Sequence, residues 1–441
     1  MSGAVESGEP TSAEPTSPGG PTHPGGPTHP GGPTPVSPWV RGLVLAATAY
    51  LMTFGYELAR PASESVFLGA YGSRALPLVW LGVAAAVVPA VALHRRLVAR
   101  LEVARVFAAT SALTALGFTL ALAAVEVGWP GAPAALYVLK DVYVVLLIEA
   151  FWSVASLTHG LGQARWSYGL YLFAGSLGGA SAGGAVGAIA ARLGTHGALW
   201  LVVPTHLALA LLAERGLRRV ARVGVEAPRA IGRGAWRDGW AIVAESPYLG
   251  RLLALVAVVQ VVLTLVDYAY NQSLEASFPD VDARTAASGR VYAGLELGAA
   301  VLQLSAGVIL RALGAPATLV AIPLVLLAPL SLGVAAPTFW AAGVAKAAGK
   351  ALDYSLLRAA KELFYVPLGA EAKLHGKALV DILGYRVAKG VASLGLLGLV
   401  AAGLDGFVPV LVLVGVGAWA LLALSAARAF RRRVARADEL G

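Results

Sequence analysis

The 441-residue chain has no cysteine, two methionines and few charges, with Asp, Glu, Lys and Arg together at 13%. Without cysteine there are no disulfides, no thiolate metal sites and no cysteine nucleophile. So little charge beside 57% hydrophobic residues and a mean hydropathy of +0.71 exceeds what a soluble core can hide, so the bilayer must be the solvent. A secretory leader is not evident, because the start lacks a basic patch followed by a short apolar run. The stretch from Gly343 to Lys350 looks like a phosphate loop, but its spacing is one residue too long and Ala351 stands where Ser or Thr is required. No ATPase, no other enzyme activity and no cofactor is expected.

Lysine is also scarce. Of 34 basic residues only seven are lysines, and six of these, Lys346, Lys350, Lys361, Lys373, Lys377 and Lys389, fall in one stretch deep in an apolar second half. Around that stretch the chain divides readily. Residues 1–38 repeat Pro-Gly-Gly-Pro-Thr-His, with almost nothing to bury and too much proline for a helix, and predict a disordered tail. His23 and His29 on that tail are not expected to hold a metal. From Trp39 onward, apolar runs of roughly 18–25 residues recur, each long enough to cross a bilayer. Twelve are counted, at 39–58, 75–94, 105–126, 133–157, 167–192, 197–214, 249–272, 286–312, 315–335, 337–364, 377–403 and 405–427.

Arginine fixes the expected orientation. Arg95, Arg96, Arg100 and Arg105, then the arginines of 215–245, then Arg431, Arg432 and Arg433 all fall on one side of a twelve-span count. That side should be cytoplasmic, with both termini inside. The expected domains are a tail at 1–38, a six-helix half at 39–214, a basic linker at 215–248, a second half at 249–427 and a basic tail at 428–441. The linker reads as an ordinary positive-inside loop, without nucleic acid. Two related halves around a central cavity is the layout of many secondary transporters. In the fifth span Gly175, Gly179, Gly183 and Gly187 leave one helix face bare, which allows a close helix approach and a seam on which halves could rock.

Ionisable groups inside spans carry the functional signal, because each is costly in hydrocarbon without a partner or water. The first half offers Glu57, Arg60 and Glu64, then Lys140, Asp141 and Glu149; the second offers Asp267, Arg290 and Glu296 before the lysine block. Lys346, Lys350, Asp353, Leu357 and Lys361 recur at helical steps and so share one stripe, as do Lys377, Asp381 and Lys389 in the next span. Two such stripes would line a wet, positive cavity; the alternative is ion pairing within the helix, as for Lys350 with Asp353. A polyanion, in particular a phosphorylated one, is the cargo such a cavity suits.

The run Asp353-Tyr354-Ser355-Leu356, Lys361-Glu362, Tyr365, Pro367-Leu368, Glu371, Lys373, Lys377, Asp381, Arg386 and Lys389 resembles the signature of the ATP/ADP translocases of plastids and intracellular bacteria. Weaker similarity runs through Tyr56 to Gly72, Tyr137 to Trp152, Ala164 to Gly178 and Asp267 to Pro279. The resemblance implies a fold like the major facilitator superfamily and exchange of nucleotides across a membrane; with the twelve spans counted above, the expectation is an all-α membrane protein that works as a monomer among the lipids of a bacterial inner membrane. Its charged positions fall on Arg60, Asp141, Asp267 and Lys361, with Glu362 and Arg386 nearby. The expected substrate contacts are therefore Arg60, Lys350, Lys361, Glu362, Arg386 and Lys389. The groups that balance charge are Asp141, Asp267, Glu296, Asp353 and Asp381. One departure stands out: where the family usually has a lysine three residues after the first-span arginine, this chain has Ser63. Two other functions fit the same residues. One is a proton-coupled transporter that protonates Asp141, Glu149, Asp267 or Glu296, and the other is a membrane ligand sensor without transport.

Overall fold

Ser37 caps the first helix, accepting a hydrogen bond from the Val40 N–H with Pro38 at the first helical position, and α1 then runs unbroken over Pro38–Tyr71. The sequence had suggested an end near residue 58. The helix continues because Arg60, Glu64 and Ser65 beyond that point are satisfied by one another, by the helix backbone and by neighbouring helices, so they need no water. The computed structural model describes residues 37–158, 161–221, 235–369 and 371–438. The expected tail lies outside the described residues up to position 36.

Within the described residues all regular structure is helical. Eight helices are long and apolar enough to cross a membrane, and one of these, Val281–Ala335, is two rods that meet at Gly314. The rods are α1, α2 at Leu76–Val98, α3 at Val103–Glu126, α4 at Ala132–Thr158, α5 at 161–193 and α6 at 195–221. The second half has α7 at Pro247–Ser277, α8 at 281–313, α9 at 315–335, α10 at 339–364, α11 at 372–401 and α12 at Val408–Asp438. The twelve expected spans are thus present; α4 with its charges and α6 and α10 with their wide turns escape a purely apolar criterion. Gly194 and Gly314 join α5 to α6 and α8 to α9 at φ of 72° and 74°, backbone that a Cβ would strain, so no loop is needed there.

The segments expected as linker and tail are more helical than composition suggested. α6 extends to Ala221, a short amphipathic helix occupies Ala235–Glu245, and α12 runs on to Asp438 through the arginines. Residues 222–234 lie outside the described residues. Arginine is a good helix former, so solvated basic ends prolong membrane helices without hindrance.

Each half has its own core. Phe107, Phe118, Tyr143 and Phe151 anchor the first, and Leu252, Tyr268, Phe364 and Trp419 the second. α2 turns Trp80, Val83 and Val87 toward the second core, one of the places where the halves meet. The other is the glycine face of α5. A Cβ on Gly183 would lie 2.8 Å from the Ala293 nitrogen and 2.9 Å from the Gly289 oxygen of α8, and one on Gly187 would lie 3.2 Å from the Ala286 Cβ. The bare face therefore serves close helix approach, as its spacing implied. Its neighbour Gly178 packs on the Tyr50 backbone of α1. Gly179-Ala180-Ser181-Ala182-Gly183 also spells Gly-x-Ser-x-Gly, but it sits inside continuous α5, where the Ser181 hydroxyl donates to the Leu177 carbonyl at 2.7 Å. A nucleophile elbow needs a strained strand-to-helix turn, and this serine has none.

Candidate functional site: a charged cavity between the halves

The termini of the described chain, the short connections α2–α3 and α10–α11, the end of α6 and the helix at Ala235–Glu245 lie on one face, called here the terminal face. On the opposite face the halves are tied together. The Ser73 N–H donates to Glu275 at 2.7 Å, Arg74 pairs with Asp405 at 3.2 Å, and Gln272 also donates to Asp405 at 3.0 Å. The Thr195 N–H donates to Asp282 at 2.6 Å, and Arg284 reaches the Ser65 carbonyl at 3.1 Å. Nearer the terminal face, Arg95–Glu149, Lys361–Asp381 and Lys377–Glu362 each stay within one half.

Beneath that seal lies a cavity of about 570 Å³, within the roughly 300–1,000 Å³ usual for small-molecule sites. Six basic side chains line it: Arg60, Lys140, Lys346, Lys350, Arg386 and Lys389. Four carboxylates oppose them: Glu64, Asp141, Asp267 and Asp353. An excess of two positive charges therefore faces the cargo space.

The floor of this cavity is one polar network that crosses from half to half. Arg60 donates to Glu57 at 3.0 Å and lies 3.7 Å from Glu64. Lys140 lies 2.8 Å from Asp141 and 3.5 Å from Glu64. The Tyr292 hydroxyl of α8 donates to Glu64 of α1 at 2.6 Å and accepts from Lys346 of α10 at 2.7 Å, while its ring lies 4.0 Å below the Arg60 guanidinium. Asp267 of α7 completes the chain, 3.6 Å from Lys346 and 3.3 Å from Lys350. Every formal charge in the floor has a partner, which is what burial requires.

The walls hold less fully matched groups. Lys389 lies 5.8 Å from the centre of the Trp80 ring, and Trp80 donates to the Tyr137 hydroxyl at 2.8 Å. Arg386 is exposed to the cavity. Tyr385 donates to Asp353 at 3.1 Å, so Asp353 is held by α11 and not by an intrahelical lysine pair. Asp353 and Arg386 both sit in wide π-type turns, Asp353–Leu357 and Leu383–Val387, a distortion common where helices line sites.

Those turns also explain which expected residues do not reach the cavity. The extra residue in the turn at 353–357 rotates the rest of α10 by about 100°, one residue's worth of helix, so the stripe of Lys346, Lys350 and Asp353 does not continue to Lys361. Lys361 is instead buried against α11, 2.6 Å from Asp381 and 5.2 Å from the Tyr385 ring. Glu362 pairs with Lys377 at 2.5 Å on the exposed side. Glu296 is buried at the glycine seam, with Gly179 beside its side chain and the Ser176 hydroxyl bonded to it. Arg60, Lys350, Arg386, Lys389, Asp141, Asp267 and Asp353 are gathered as expected; Lys361, Glu362, Asp381 and Glu296 are not.

Several lining residues went unassigned in the sequence, among them Glu64, Lys140, Lys346 and Trp80. Glu64, Lys140 and Lys346 were visible as charges inside spans, so their signal existed, whereas Trp80 resembles any core aromatic. Lys140 also bears on the departure at Ser63. Ser63 is fully buried, its hydroxyl finds no partner among the described residues, and the second cation near Glu64, beside Arg60, is Lys140 of α4.

A sealed face, two six-helix halves and a polar cavity at their junction are the arrangement of the major facilitator fold. Solved structures agree on the fold. A bacterial homologue of the human lysosomal transporter Spinster, inward-facing and unoccupied, superposes with a TM-score of 0.62 at 11% identity, covering 90% of this chain and 99% of that one. The nucleoside transporter NupG gives 0.61 at 12% identity (89% and 99%), and a D-xylose–proton symporter 0.59 at 15% identity (89% and 97%). In sequence, residues 333–430 match the model of the TLC ATP/ADP transporter family, so the resemblance read in the lysine block holds over that stretch.

Proposed function

We propose that the chain exchanges nucleotides, or closely related phosphorylated organic anions, by alternating access. The observation that carries this reading is the cavity's excess of basic groups, arranged as lysines and arginines from both halves around one space. Phosphate groups satisfy several such donors at once, and Trp80, Tyr137 and Tyr354 offer apolar surface for a base. The TLC family match supports a nucleotide, since it includes the α10–α11 residues that supply four of the six cations. Lys361 then has a different task from the one its motif suggested: it fixes α11 to α10 through Asp381, aiming Arg386 and Lys389.

In this arrangement the terminal face is cytoplasmic, the conformation is inward-facing, and the membrane is a bacterial inner membrane. A cysteine introduced at Trp129, on the opposite face, is expected to react with an impermeant maleimide in intact cells, and one at Arg100 is not. The reverse pattern would invert the topology.

Cargo class is tested by thermal shift on purified protein. Nucleoside di- and triphosphates are expected to raise the melting temperature, because a ligand favouring the folded state stabilises it, while nucleosides and neutral sugars leave it unchanged. Stabilisation by a nucleoside as strong as by its diphosphate would remove the cations from recognition.

A second reading rests on Glu57 and Glu296. Both are buried away from the cavity lining at the α1–α5–α8 contact, where protonation could bias the seam. Proton-coupled transport would then follow from these carboxylates and not from those of the cavity.

A further inference from the structure

A second concave basic site lies outside the inter-half cavity. It is a groove of about 770 Å³ on the terminal face of the second half, where the start of α7 meets the end of α12. Five arginines line it, Arg251, Arg428, Arg432, Arg433 and Arg436, and no carboxylate is among its described lining residues. Arg433 is already placed: its Nε donates to the Pro367 carbonyl at 3.3 Å, and its guanidinium lies 5.4 Å from the centre of the Tyr248 ring. Tyr248 is in turn fixed by donating to the Phe364 carbonyl at 2.7 Å.

The sequence of α12 explains the shape. Leu421, Ser425, Arg428, Arg432 and Arg436 follow at three- and four-residue steps and therefore form one stripe, apolar at its upper end and basic at its lower. Leu421 is 69% exposed and Leu424 also borders the groove. Arg428 lies about 10 Å along the axis from Leu421, so the stripe changes character over the distance that separates acyl chains from phosphates. Basic residues near this face are general, as Arg95, Arg96 and Arg100 show, and orientation alone explains those. It does not explain a walled groove in which arginines without carboxylates continue into exposed leucines.

We propose that this groove binds the phosphodiester headgroup of an anionic phospholipid, with the arginines on the phosphates and an acyl chain along Leu421 and Leu424. Arginine suits the task because its fork meets two phosphate oxygens at once. A soluble phosphate compound would meet the same arginines but would leave the leucines uncovered, and the groove is built by one half, where a cargo needs both.

The test uses the full chain, delipidated in a neutral detergent and offered equal amounts of phosphatidylcholine, phosphatidylglycerol and cardiolipin, with bound lipid counted by native mass spectrometry. The unmodified protein is expected to retain the anionic lipids selectively. The triple variant R428Q/R432Q/R436Q should retain roughly fivefold less, and R95Q/R96Q/R100Q as much as the unmodified protein. Should the glutamine variant fail to fold, R428K/R432K/R436K preserves the charge and should still lose about twofold, because the fork is gone. Unchanged retention in the variants of the groove, or an equal loss in the Arg95 set, would overturn the site. Displacement of the lipid by millimolar inorganic phosphate or ADP would overturn the lipid assignment in favour of a soluble phosphate.

Discussion

Replacing Asp267 by alanine is expected to destabilise the empty carrier by about 3–5 kcal/mol, the usual consequence of removing one partner from a buried ion pair. Asp267 is the carboxylate within 4 Å of both Lys346 and Lys350, at 3.6 and 3.3 Å, and two lysines one turn apart on α10 would lose their shared counter-charge. A phosphorylated ligand should recover much of that loss. The variant's melting temperature is therefore expected to fall without ligand and to rise more than the unmodified protein's when ADP is added. Transport should cease, since the empty state could no longer hold its charges together while it reorients. A melting temperature within a degree of the unmodified protein's would show that Asp267 does not balance the lysines.

Arg60→Ala should have an effect of similar size for a different reason. Glu57 is 1% exposed, its second oxygen has no hydrogen-bond partner among the described residues, and Arg60 is the cation it pairs with. Without Arg60 a carboxylate remains unpaired in the α1 interior, again at about 3–5 kcal/mol. The double variant Arg60→Ala/Glu57→Gln removes that charge and is expected to recover most of the stability, measured by denaturation in detergent. It should not recover uptake, because Arg60 also faces the cargo space between Tyr56 and Tyr292. Recovery of both stability and uptake would limit Arg60 to a structural role.

The parts of this molecule that were legible in the sequence follow from strong, local physics. Apolar runs long enough for a bilayer set the twelve rods, and charges inside them set the neighbourhood of the site, because hydrocarbon accepts the first and tolerates the second only with a partner or water. Arg60, Asp141, Asp267 and Lys350, singled out on that ground, all line one cavity. The stripe of α10 failed at Lys361 because its projection assumed 3.6 residues per turn throughout, and the turn at Asp353–Leu357 breaks that period without any proline or glycine to announce it. Helix lengths failed where polar residues continue a rod, as in α1 beyond Leu58 and α12 beyond Ala427. Tyr292 was not legible at all. An uncharged aromatic in an apolar span looks like core, yet its hydroxyl is the link between Glu64 in one half and Lys346 in the other.

That link bears directly on mechanism. In the proposed exchange, transport runs on gradients, and Glu64, Tyr292 and Lys346 bridge the floor across the halves in the empty state. A polyanion that engages Lys346 and Lys350 competes with this bridge, and a ligand shifts a conformational equilibrium by its difference in affinity for the states. The proposed exchange rests on this competition, since reorientation without cargo would strand buried lysines. Uptake of radiolabelled ADP into proteoliposomes preloaded with unlabelled nucleotide measures this most directly. The expected result is uptake at least about tenfold faster than into empty vesicles, which corresponds to a barrier difference of roughly 1.4 kcal/mol, with no response to an imposed proton gradient. Equal uptake into loaded and empty vesicles, accelerated by that gradient, would contradict exchange and transfer the coupling to Glu57 and Glu296.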